Sequence, residues 1–127
     1  MRVLASLAAF GLLLAGCDDG APQRNVTKVV AANPHSDELK TLSEPTRHLG
    51  LYRALRDVGQ RCKRVDRGAY QQQYKTMAMW TAHCTDTGDW ALYIAPNGDV
   101  QASPCAHAKE LGLPECRIQA GEPSEKR

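Results

Sequence analysis

The chain has 127 residues, of which 16 are Lys or Arg and 14 are Asp or Glu, so the net charge is +2. This length suffices for one small domain and not for two. A charge balance so close to neutral does not indicate a nucleic-acid-binding protein, which needs a strongly basic surface.

The first 16 residues predict export from the cytoplasm. Arg2 supplies a positive charge, and residues 3–14 are apolar except for two small residues. This stretch is shorter than the roughly 20 apolar residues that a membrane-spanning helix needs. A basic start followed by a short apolar segment is typical of a signal peptide, so we assign residues 1–16 to one.

Residues 14–17 read Leu-Ala-Gly-Cys, which resembles the lipobox of bacterial lipoproteins. The resemblance implies cleavage before Cys17 and attachment of lipid, including palmitate-like acyl chains, to this residue. Each buried methylene contributes about 0.8 kcal/mol to membrane binding, so the lipid would hold the protein at a membrane surface. Asp18 resembles the residue that retains lipoproteins in the inner membrane. We therefore expect a periplasm-facing envelope protein at the inner membrane, with the outer membrane as the alternative.

Residues 17–45 are predicted to be the lipidated cysteine and a flexible tether, because turn-forming residues interrupt this segment twice, at 18–22 and 33–36. Residues 46–118 follow as one small domain. Residues 119–127 are polar and predict a disordered tail.

A helix is predicted from Pro45 to Val58, because Leu51, Leu55 and Val58 recur with helical spacing. Gly59 is placed to end it in a left-handed conformation. Beyond this glycine the pattern predicts strands at residues 62–65, 74–84, 90–95 and 100–103, with turns at Gly68, 86–89 and 96–99, and then one or two helical turns at 106–111. The predicted fold class is α+β, with one N-terminal helix packed on a small antiparallel sheet of three to four strands.

Five cysteines make an odd number, and lipid on Cys17 accounts for the odd one. The other four would form two disulfides in an oxidising compartment, and three pairings are possible. We favour Cys62–Cys84 and Cys105–Cys116. The helix and Trp80 are expected to share a core that both Cys62 and Cys84 face, and the remaining pair then closes a local loop.

Strand alternation places several side chains opposite Trp80, on a sheet face that the predicted helix does not cover. An uncovered apolar face usually has a use, so we predict a contact surface there. Its candidate residues are Met77, Met79, His83 and Tyr93. Thioethers and imidazole also suit Cu(I), which makes copper handling an alternative. A further alternative is simple packing beneath the tether or a partner.

Basic residues are concentrated between residues 47 and 75. They predict a surface for anionic phospholipid, an anionic glycan or an acidic partner. The alternative is a solvated helix face and a charged edge strand, where charge discourages aggregation. The candidate patch is Arg53, Arg56, Arg61, Lys63 and Arg64.

The sequence contains no G-x-S-x-G, H-E-x-x-H or C-x-x-C motif, and we predict no catalytic residue, metal site or cofactor. The main hypothesis is a non-catalytic binding or assembly module for another envelope component, held to the membrane by Cys17 and without a nucleic-acid partner. An alternative is an inhibitor of a wall hydrolase, similar in general terms to the small disulfide-bonded lipoproteins that block lysozymes. Cu(I) binding is the third hypothesis.

Overall fold

The computed structural model describes residues 32–118; the predicted signal peptide, Cys17, residues 18–31 and the tail at 119–127 lie outside this range. Helices α1 (Pro34–Thr41) and α2 (Glu44–Asp57) precede strands β1 (Val65–Tyr74), β2 (Met77–Cys84), β3 (Gly88–Ile94) and β4 (Val100–Pro104), and a 3-10 turn covers Cys105–His107. The strands form an antiparallel sheet in the order β1-β2-β3-β4. The α+β class and the Cys62–Cys84 and Cys105–Cys116 disulfides are confirmed.

The folded domain begins earlier than predicted, because residues 33–45 belong to it and not to a tether. Asn33 caps α1 by accepting a hydrogen bond from the Ser36 backbone N–H at 3.1 Å, and its own amide donates to the Ile94 carbonyl at 2.8 Å. The Trp80 indole N–H donates to the Ser36 hydroxyl at 2.9 Å. Asn followed by Pro is a turn signal, but it is equally the start signal of a helix, and buried partners on the sheet select the helix here.

Helix α2 lies within one residue of its predicted bounds, and Gly59 has the expected positive φ of 77°. Leu51 and Leu55 are fully buried. Arg47 lies at the end of the first turn, where its guanidinium donates to the carbonyls of Leu39, Lys40 and Leu42 at 3.0, 3.3 and 2.8 Å. It satisfies carbonyls at the end of α1 that have no partner within that helix.

The prediction for the first hairpin was wrong in its boundaries. Gly68 lies within β1 and does not form a turn. The chain turns instead at Lys75 and Thr76, between the paired residues Tyr74 and Met77, and Lys75 has a φ of 54°. Gly68 allows α2 to approach the sheet closely, since a Cβ at this position would overlap Leu51 Cδ1. The predicted strand at 62–65 is an extended loop as far as Val65, where β1 begins.

Helices α1 and α2 cover one face of the sheet, which we call the helix face. Its core contains both tryptophans, Trp80 and Trp90, together with Leu51 and Leu55 of α2 and the buried Cys62–Cys84 disulfide. The predicted alternation of β2 is confirmed here, because Ala78, Trp80, Ala82 and Cys84 all belong to this core. Within residues 32–118, no helix has the length and apolar composition needed to cross a membrane.

The opposite face is covered by residues 105–117, which we call the C-terminal cover. Cys105, Leu113 and Cys116 pack against Met79 and the other buried residues of this face. The Gln71 side chain holds the cover at the sheet edge: its amide donates to the Glu115 carbonyl at 2.9 Å and its oxygen accepts from the Arg117 backbone N–H at 2.7 Å. The sheet is thus enclosed on two sides, by helices on one and by an irregular stapled segment on the other.

Candidate binding groove

The structure contradicts the prediction that Met77, Met79, His83 and Tyr93 form an open contact face. Met79 is fully buried and Tyr93 is 3% exposed, both beneath the C-terminal cover. Burial, with a smaller contribution from the neighbouring Tyr74, raises the pKa of the Tyr93 phenol above its ordinary value. The alternation that placed these residues on one face was right, but the prediction lacked the segment that covers them.

The same burial argues against the Cu(I) hypothesis. A thioether ligand has to reach the ion, and the Met79 side chain has no exposed surface while the cover is in place. Met77 is partly buried against the same cluster, and His83 does not belong to that cluster. Among residues 32–118 there is also no group of three or more His, Cys, Asp or Glu side chains arranged to hold a metal ion.

His83 lies at the other end of this face, beside two carboxylates. Its Nδ1 is within hydrogen-bond distance of Asp89 Oδ1, and its Nε2 is 4.0 Å from Asp66 Oδ1. Asp66 is also 3.9 Å from the Arg67 guanidinium. This arrangement links β1, β2 and β3 through side chains, which is a structural role for a half-buried histidine at a sheet surface.

The loop that carries Arg61, Lys63 and Arg64 is firmly attached to the turn between β2 and β3. The Thr87 hydroxyl donates to the Arg61 carbonyl at 2.7 Å, and the Lys63 backbone N–H donates to Asp86 Oδ1 at 2.7 Å. The Thr85 N–H donates to the Arg64 carbonyl at 3.0 Å. The Cys62–Cys84 disulfide joins the same two segments, so the backbone beneath these cationic side chains is fixed.

Between this loop and α2 lies an open groove of about 600 Å³. We call it the α2–β1 groove, and it is lined by Pro45, His48, Leu49, Tyr52 and residues 63–66. Leu49 is 45% exposed and is one of two large hydrophobic residues that are exposed within residues 32–118. An apolar depression bordered by a few polar groups is the usual form of a binding site.

The predicted basic patch is divided by the structure. Lys63 and Arg64 border the α2–β1 groove. Arg53 lies on the other side of α2, in a second groove of about 520 Å³ that also contains Asp57 and Asp99. Arg56 follows Tyr52 by four residues, so it lies one turn further along the same side of α2 as the groove. The cationic residues of interest at the groove are therefore Arg56, Lys63 and Arg64.

Two acidic groups lie near the groove. Glu44 lies 3.8 Å from the His48 ring, and Asp66 faces Arg67 and His83. By contrast, Arg56, Lys63 and Arg64 are exposed and make no salt bridge within 4.0 Å to any residue of the described range. The groove consequently has an apolar floor and an excess of positive charge at its edge.

The sequence predicted the basic side of this groove but not its apolar floor. Pro45, Leu49 and Tyr52 are spaced by four and three residues, which places them on one helix face next to the buried face of Leu51 and Leu55. The sequence did contain a signal for this floor, because the apolar stripe of α2 is wider than the core requires. The chain matches no protein-family model, no curated protein and no solved structure.

Proposed function

We propose that this chain is a lipid-anchored protein of the bacterial envelope whose domain binds another envelope component through the α2–β1 groove. The single observation that carries the binding role is the groove itself, where Leu49 is exposed and Lys63 and Arg64 have no ion-pair partner among the described residues. Exposed apolar surface bordered by polar groups marks interaction sites. The anchor is supported by the lipobox-like residues 14–17.

The two halves of this proposal are tested separately. For the anchor, cells that express the full chain are labelled with radioactive palmitate. Label on the wild-type chain and none on Cys17→Ala is the expected result, because the lipid is attached to this cysteine. An unlabelled wild-type chain contradicts the anchor and leaves the binding role to be judged by itself.

For the binding role, a photo-crosslinking amino acid is introduced at Leu49 in intact cells. Leu111 is the matched control, since it is the other exposed leucine, at 60% exposure, and lies in the C-terminal cover. A discrete crosslinked species from position 49 and none from position 111 is expected. Equal crosslinking from both positions, or none from either, contradicts a partner in the groove.

A further inference from the structure

We infer that the α2–β1 groove takes a peptide segment in which acidic residues flank an apolar side chain. The inference rests on the proposed function, because it names the chemistry of the partner that this same groove binds. It is carried by the apolar floor and the charge of the groove.

The floor of the groove offers exposed apolar surface to a side chain of the partner. Pro45 is exposed, Leu49 is 45% exposed, Tyr52 is half-buried and Val65 is 4% exposed, so most of the available apolar surface belongs to the three residues of α2. Complete burial of a leucine is favourable by about 1.5–3 kcal/mol. Covering the exposed part of Leu49 therefore contributes to binding, but it does not suffice for tight binding without the charged edge.

The charge at the edge selects acidic residues. Lys63 and Arg64 lie on the wall formed by the loop, and Arg56 lies beyond Tyr52 along α2. Glu44 lies beside His48, and Asp66 of the lining is shared with Arg67 and His83, so the three cations at this edge outnumber the two nearest carboxylates. Complementary charge at an exposed edge mainly increases the association rate and specificity, and it makes binding sensitive to salt.

The length of the groove sets how much of an extended chain it can hold. Pro45 and Tyr52 are seven residues apart on α2, or about 10 Å along its axis. An extended chain advances about 3.3 Å per residue, so the groove holds about three of its residues.

A flat bilayer fits this surface less well than a peptide does. The apolar lining is concave, and a planar surface would reach the edge of the groove without filling the space over Tyr52 and Val65. Basic residues near an anionic membrane contribute about 1 kcal/mol each, so a lipid surface is the competing partner that the experiment has to test.

The probe is a phage library of random 12-residue peptides, selected against the full chain purified from membranes in detergent. We expect enrichment, by about tenfold over the unselected library, of sequences with an apolar residue flanked by Asp or Glu. Leu49→Asp should abolish this enrichment, and Leu111→Asp should preserve it. The double variant Lys63→Glu with Arg64→Glu should shift the selection towards Lys and Arg, a gain that an unfolded protein cannot produce. Lys109→Glu, at an exposed position in the C-terminal cover, is the charge control.

Three results overturn the inference. The first is a selection without acidic enrichment, and the second is an enrichment that Leu49→Asp leaves unchanged. The third is binding to vesicles of phosphatidylglycerol and phosphatidylethanolamine that requires Leu49, in the absence of peptide enrichment, which assigns the groove to a lipid surface. A partner crosslinked at position 49 in cells, together with no acidic enrichment, overturns the peptide chemistry alone and leaves the proposed function standing.

Discussion

The two faces of the sheet are enclosed by different kinds of structure. On the helix face, α1 and α2 pack over a core that includes Trp80 and Trp90. On the other face, the C-terminal cover lies over a smaller cluster with three buried hydrophobic residues, Met79, Ala91 and Tyr93. Since stability comes mainly from apolar burial, the helix face contributes the larger share of the free energy of unfolding.

The covering segment of the helix face is also attached to the sheet more firmly than the C-terminal cover is. Helix α1 is joined to the sheet by two buried hydrogen bonds. The Asn33 amide donates to the Ile94 carbonyl, and the Trp80 indole donates to the Ser36 hydroxyl. The C-terminal cover is joined to β1 through the exposed hydrogen bonds of Gln71, and the Cys105–Cys116 disulfide only closes the cover itself into a loop. Segments with few buried contacts open locally at low cost, so we expect the cover to open without unfolding of the helix face.

The largest effect is expected from a cavity on the helix face. Leu55 and Met79 are both fully buried, one on each face. Leu55→Ala should lower the free energy of unfolding by about 4 kcal/mol, and Met79→Ala by about 2 kcal/mol, because an irregular cover settles into a cavity more readily than packed helices do. Urea denaturation followed by circular dichroism measures both.

The exposed Leu111 provides the control, and Leu111→Ala should change stability by less than about 0.5 kcal/mol. Equal losses for Leu55→Ala and Met79→Ala would mean that the two faces of the sheet contribute equally to the free energy of unfolding.

The second prediction concerns the two disulfides. Cys62–Cys84 spans 22 residues and Cys105–Cys116 spans 11. Loop-closure entropy rises by about 0.6 kcal/mol for each doubling of loop length, so replacing Cys62 and Cys84 by Ala should cost more than replacing the other pair. Each loss should be of the order of 2–4 kcal/mol.

Hydrogen exchange distinguishes the two double variants further. Without Cys105–Cys116, amide exchange should accelerate in residues 105–117 while α2 remains protected. Without Cys62–Cys84, the free energy of opening should fall at every slowly exchanging amide, since this bridge lies in the core of the helix face. Uniform acceleration in both variants would show that the cover does not open independently.

The sequence predicted the helix face better than the opposite face for a physical reason. The spacing of Leu51 and Leu55 and the alternation around Trp80 repeat with the period of the element that carries them. The C-terminal cover has no such period beyond its 3-10 turn. Its position depends on a disulfide and on two hydrogen bonds of Gln71, which is 44 residues away from Glu115 in sequence. The pairing of the cysteines was predictable, but the surface that the loop covers was not.

The candidate site was likewise predicted only in part from the sequence. Lys63 and Arg64 were predicted as binding residues because charge is visible in a sequence. Leu49 was overlooked, since an exposed leucine on an amphipathic helix resembles a core residue until the position of the sheet is known. The turn at Lys75 and Thr76 was missed because it contains neither Gly nor Asn.

A third prediction tests how closely α2 approaches the sheet. A Cβ on Gly68 would overlap Leu51 Cδ1 and lie 3.4 Å from the Thr81 carbonyl oxygen. Gly68→Ala should therefore destabilise the protein by about 2 kcal/mol, within the range for overpacked cores. In a double-mutant cycle with Leu51→Ala the combined loss should be smaller than the sum of the single losses, since the second change removes the overlapping atom. Additive losses would contradict direct contact between these positions.

The smallest effect is expected at Tyr93, beneath the C-terminal cover. Its hydroxyl is the only fully buried side-chain polar atom in the described range that has no hydrogen-bond partner, so Tyr93→Phe should stabilise the protein by about 1 kcal/mol. Tyr70→Phe on the helix face is the control, and little change is expected there.

The alkaline limb of the stability curve gives a second measurement for the same substitution. Burial raises the pKa of Tyr93 in the folded state, so above the ordinary value the unfolded chain loses its phenolic proton first. The stability associated with the neutral phenol is fully present below about pH 10 and is lost as the pH rises from there through the folded-state pKa. Free energies of unfolding measured between about pH 9 and pH 11 should fall more steeply for the wild type than for Tyr93→Phe. Parallel curves would mean that the cover is already open at this pH and that solvent reaches the phenol, which would make the second face weaker than the structure indicates.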